Sequence, residues 1–94
     1  MITTELYQKG KGQTPSVWLV KRDDQVIGLV EKFVDHRSNR NPYKAFLVDG
    51  AAAGKPNTML GVFYAPGVLT GTSWLPASKA EFDKAVAAVE EATK

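Results

Sequence analysis

VWLVKR (17–22), QVIGLVEKFVD (25–35), YKAFLVDG (43–50) and TMLGVFYA (58–65) are four apolar runs separated by polar, turn-rich and partly basic connections. Each is rich in β-branched and aromatic residues and is about the length of one strand. Asp23-Asp24, the two residues between the first pair of runs, suits a tight antiparallel hairpin. In the second run both alternating sets are partly apolar (Ile27, Leu29, Phe33 and Val26, Val30, Val34), which predicts cover on both faces for part of its length. Gly28 lies inside that run, where a bulge or a close backbone approach is expected.

Working outward, His36-Arg37-Ser38-Asn39-Arg40-Asn41-Pro42 reads as a polar loop carrying two arginines and the only histidine. Pro42 cannot donate to a ladder and marks the start of the third strand. Asp49-Gly50 opens a longer connection, AAAGKPN, that is expected to form a flexible hairpin tip bearing Lys55. Beyond Ala65, Pro66-Gly67 breaks the strand, and residues 66–77 read as a loop or a short extra strand. Residues 1–15 read as a flexible arm or one edge strand around Ile2 to Tyr7.

The clearest boundary is C-terminal. Ser78 followed three residues later by Glu81 is a capping box, and Phe82, Ala85, Val86 and Val89 recur at helical spacing. A helix over 79–92 follows, with its apolar stripe on the sheet and Lys79, Asp83, Lys84, Glu90 and Glu91 towards water. Glu90 and Glu91 sit unfavourably at the negative end of the helix dipole. The expectation is an α+β fold in a single domain over 1–94: an antiparallel meander of four strands over 17–65, or five with an added edge, and one C-terminal helix (78–93) packed on one face. The opposite face is then left open as the natural binding surface.

Composition narrows the functional classes. A chain of 94 residues supports one modest core, and the lack of cysteine excludes disulfides and thiolate metal sites. Neither a signal peptide nor a membrane span is legible, so the expected compartment is the cytoplasm. Gly50 to Lys55 is one residue short of a phosphate-binding loop, and Pro56 stands where a Ser or Thr would hold Mg²⁺. Asp35, His36 and Ser38 are sequence neighbours without a nucleophile elbow, and one histidine cannot assemble a zinc site. No enzymatic activity, cofactor or metal is expected.

The charge is uneven. Residues 1–55 hold Lys9, Lys11, Lys21, Arg22, Lys32, Arg37, Arg40, Lys44 and Lys55 against Glu5, Asp23, Asp24, Glu31, Asp35 and Asp49. Basic residues interleave with rings along the strands, a pattern that suits phosphate contacts and base stacking. The expected nucleic-acid-binding set is Lys21, Arg22, Lys32, Arg37, Arg40, Tyr43 and Lys44, with Tyr43 the ring most expected at a surface. The alternative is a protein-interaction module whose open face binds a host protein or a second copy in a homodimer. A contiguous cationic face would favour the first reading, and an apolar sheet face the second.

Tyr43-Lys44-Ala45-Phe46, Leu60-Gly61-Val62-Phe63 and the helix with Phe82 and Ala85 resemble the small DNA-binding domains of the AP2 and phage-integrase N-terminal type. The run VEKFVDHRSNRNPYKAF followed by LGVFY also looks like small phage and prophage proteins. The strand order and TSWLPASKAEF resemble the strand-to-helix passage of a class of dimeric single-strand-binding proteins. Here PGVLTGTSWLPA stands between Leu-Gly-x-Phe and the helix, where the DNA-binding family has almost nothing. The resemblance implies that the helix-free face and its basic loops meet nucleic acid in an accessory or regulatory role.

Overall fold

The DD hairpin forms as the sequence requires. Asp23 and Asp24 both take positive φ (50° and 70°), the left-handed pair that matches the twist of a two-residue hairpin and that Asp tolerates better than most residues. This turn joins β2 (Ser16–Arg22) to β3 (Gln25–Lys32) in a computed structural model that describes residues 1–11, 14–32, 42–50, 54, 56–64 and 78–94. β1 (Ile2–Gln8) precedes this pair, β4 (Tyr43–Leu47) and β5 (Met59–Phe63) follow, and α1 (Lys79–Ala92) ends the chain. The five strands form one open antiparallel sheet in sequence order, β1-β2-β3-β4-β5.

The fifth strand is therefore the N-terminal one. Thr3, Thr4 and Tyr7 give this segment β propensity, and it pairs with β2 along its whole length. The other proposed extra strand, within residues 66–77, lies outside the described residues, as do Phe33 and Val34 of the long second run, residues 36–41 of the stretch read as a polar loop, and Lys55.

Three bulges shape the sheet. They leave Tyr7 of β1, Ile27 of β3 and Leu60 of β5 as extra residues in the ladders. A bulge locally breaks the two-residue alternation, and here it brings Ile27 and Leu60 against the core. This corrects the reading of β3: its doubly apolar pattern arises partly from the bulge.

Helix α1 covers one face. Val20, Val30, Ala45, Ala85 and Val89 are wholly buried between helix and sheet, and each fully buried valine contributes on the order of 1.5–2 kcal/mol. Gly28 is where the two layers touch most closely: a Cβ there would stand 2.4 Å from Val89 Cγ1 and 2.6 Å from the Phe46 carbonyl oxygen. The capping box is formed, with the Ser78 N–H donating to Glu81 Oε2 at 2.8 Å and the Ser78 hydroxyl accepting from the Ala80 N–H. Glu81 is buried, and its bonds from the Ser78 hydroxyl and N–H hold its carboxyl below the usual range.

The β4–β5 hairpin is closed by side chains. Asp49 accepts from the Thr58 N–H at 2.9 Å and from the Thr58 hydroxyl at 2.6 Å, and Asn57 Oδ1 accepts from the Gly50 N–H at 3.1 Å. The Thr58 bonds lower the Asp49 pKa.

Candidate interaction surface

Strand registers sort every described side chain onto one of two faces. Gly28 faces the helix, so its cross-strand partners Val20 and Leu47 do too, as do Trp18, Val30 and Ala45 one step along. On the helix-free face two transverse rows cross all five strands, and a shorter one, Thr3, Lys21 and Val26, lies beside them on β1 to β3. One row crosses all five strands as Glu5, Leu19, Leu29, Phe46 and Met59. The next runs Gln8, Val17, Glu31, Lys44 and Val62.

The charged side chains on this face lie in opposite-sign neighbours. Lys21 Nζ stands 2.7 Å from Glu5 Oε2, and this contact raises the Lys21 pKa. Glu31 lies directly across from Lys44 in the β3–β4 register. Between these pairs, Leu19, Leu29, Phe46 and Val62 are half-buried and Met59 is 51% exposed. Among the described residues no helix or strand lies across this surface.

The sequence-nominated cations are dispersed. Lys21 and Lys44 sit on the helix-free face. Arg22 lies on the helix side and donates from Nη1 to the Thr93 carbonyl at 2.8 Å and from Nη2 to the Glu90 carbonyl at 3.3 Å. Lys32 is also on the helix side, with Nζ 4.9 Å from the centroid of the Tyr43 ring. Arg37 and Arg40 lie outside the described residues. The expectation that one sheet face would present Lys21, Arg22, Lys32 and Lys44 together is thus corrected: alternation puts 21 and 22, and likewise 32 and its partner's neighbour 44, on faces that the helix divides.

Tyr43 is also corrected. It packs between Trp18 and Phe82, with ring centroids at 5.7 Å and 5.3 Å, while Trp18 and Phe82 lie 5.3 Å apart. Such tilted contacts add about 0.5–1.5 kcal/mol each beyond area burial. Burial, and then the nearby Glu81 carboxylate, raises the Tyr43 pKa. Tyr43 therefore locks the helix N-terminal half to the sheet. The apolar row was missed as a site because either set of β3 could have faced out; the signal was Gly28, which marks the side where a helix can approach.

No family model, curated protein or solved structure matches this chain. Among the described residues no group of three or more His, Cys, Asp or Glu could hold a metal ion, and no helix is long and apolar enough to cross a membrane.

Proposed function

We propose that this protein is an interaction module that docks another protein surface on its helix-free sheet face. The observation that carries this reading is the row Leu19, Leu29, Phe46 and Met59, set between opposite-charge neighbours on a face that no described element covers. A contiguous apolar row on an open face is a usual mark of a protein-binding patch, and here opposite-charge pairs flank it, Glu5 with Lys21 at one edge and Glu31 with Lys44 beside its middle. Phosphate recognition would instead need unneutralised cations side by side, and Glu5 and Glu31 stand beside both lysines on this face.

A photo-crosslinking residue at position 46, compared with one at the exposed outer helix position 87, tests this. Protein adducts at 46 and none at 87 are expected. Absence of protein adducts at 46 overturns the reading.

A second reading keeps the nucleic-acid expectation but moves it to one end of the sheet. Lys9 and Lys11 follow β1, Lys32 ends β3, and the connection carrying Arg37 and Arg40 leaves from that same end. In this reading binding to mixed-sequence DNA or RNA at low salt weakens steeply as salt rises, and Arg37→Ala with Arg40→Ala reduces that salt slope. A retardation assay without any shift at low salt removes it.

A further inference from the structure

We infer that the occupant of the helix-free face is a second copy of this chain, stacked sheet to sheet about a two-fold axis that runs parallel to the strands between β3 and β4. The inference rests on the docking-face reading and names its partner. A sheet face that meets itself must be self-complementary, since each residue is placed over whatever the symmetry operation puts there. Two simple operations fail here. An axis along β3 would put Glu31 over its own copy, and an axis across the strands between the two rows would put Leu29 over Glu31.

The axis between β3 and β4 exchanges β3 with β4 and β2 with β5. Leu29 then faces the partner's Phe46 and Leu19 the partner's Met59, while Val17, only 8% exposed within its own chain, lies beneath the partner's Val62 and adds little to the contact. Glu31 faces the partner's Lys44. The registers that generate this overlay are Leu19–Leu29–Phe46–Met59 and Val17–Glu31–Lys44–Val62. Within these two rows apolar groups meet apolar groups, and Glu31 and Lys44 each meet the opposite charge, twice by symmetry. The cross-strand neighbours Glu31 and Lys44 thus become part of a four-charge ring shared by two copies.

The geometry is that of an aligned β-sandwich, in which sheets pack about 10 Å apart with their strands within about 30° of each other. That angle leaves the overlay intact near the axis, where Leu29, Phe46, Glu31 and Lys44 lie, and lets it drift at the margins. Four strands at about 4.8 Å spacing and about five residues at about 3.3 Å give a flat footprint of roughly 300 Å² per copy. Even counted on both copies, this is well below the ~1,200 Å² total of stable complexes, so the self-association is expected to be weak and concentration-dependent. β1 overhangs the contact, so Glu5 remains at its rim, and Lys21, at the end of β2 beyond Leu19, is held to Glu5 there.

Sedimentation velocity from low to high micromolar protein, with Glu31→Lys, Lys44→Glu and their equimolar mixture, tests the inference. The wild type is expected to shift from monomer to dimer with concentration. Each single reversal places like charges across the axis and weakens self-association by about tenfold or more. The mixture is expected to recover the dimer. In the mixed pair the lysine introduced at position 31 of one variant faces the glutamate introduced at position 44 of the other, and the unchanged Lys44 of the first faces the unchanged Glu31 of the second. Recovery on mixing requires both variants to be folded, so it separates lost pairing from lost structure.

A wild type that stays monomeric throughout, or a dimer that neither reversal weakens, overturns the inference. A mixture that fails to recover while both variants retain wild-type circular dichroism overturns this axis. Adducts from position 46 to a different protein, with a monomeric chain, remove self-pairing and leave the docking-face reading standing.

Discussion

Gly28 shows how one missing side chain sets the spacing of two layers. Its absent Cβ is the space that Val89 occupies, and the Phe46 carbonyl closes the same space from β4. Val89 can yield by a rotamer change, but backbone cannot. Gly28→Ala is therefore expected to cost about 2 kcal/mol, the range for overpacking a filled core, read as a lower urea midpoint without a changed slope. Asp49 and Glu81 carry the acid sensitivity. Both have folded pKa values below their ordinary ones, so their contribution is fully present above the unfolded values of about 3.9 and 4.3 and is lost as pH falls through the folded values. Urea midpoints measured downward from pH 6 should decline below about pH 4.5, and Asp49→Asn with Glu81→Gln should flatten that decline.

At the scale of elements, helix α1 is held at both ends by different means. Its N-terminus carries its own cap and the Trp18–Tyr43–Phe82 cluster. Its last turn has no basic residue, and Glu90 and Glu91 there oppose the dipole. Arg22 supplies the missing positive charge from β2 and satisfies two terminal carbonyls. Arg22→Met keeps much of the apolar stem and is expected to cost about 1–2 kcal/mol, with faster amide exchange confined to the last helical turn.

Local chemistry made some of these elements legible: the Asp-Asp turn, the Ser78–Glu81 box and the Phe82–Val89 stripe each act within a few residues. Strand β1 was weakly legible because its side chains are mostly exposed and polar, so that pairing with β2, not burial, defines it. The bulges were not legible, because a ladder irregularity depends on two strands at once. For the same reason Arg22 read as a surface cation and Tyr43 as an exposed ring: the partners that bury or bind them are distant in sequence, Thr93 and Phe82 among them.

For the whole molecule, stability should follow the position of the helix. It packs on β3, β4 and β5, while β1 forms an open edge where Leu6 is 53% and Tyr7 70% exposed. Hydrogen exchange should accordingly be slowest at the amides of Val30 and Ala45, near the global unfolding rate, and much faster along β1. If β1 is instead as protected as β3, some other surface covers that edge. The two faces of the sheet were foreseeable as unequal, but which cations each would carry was not. That division is decided by strand phase, and a phase is read only once the helix has chosen a side.

The sequence-ordered sheet also has a consequence for synthesis. All five strands precede residues 79–92 in the chain and so leave the ribosome first, and each can zip onto its predecessor as it emerges. During that interval the side that will receive Val89 lies bare, with Val20, Val30 and Ala45 in water. The emerging sheet thus has two sticky sides, and the docking of α1 is the event that leaves only one.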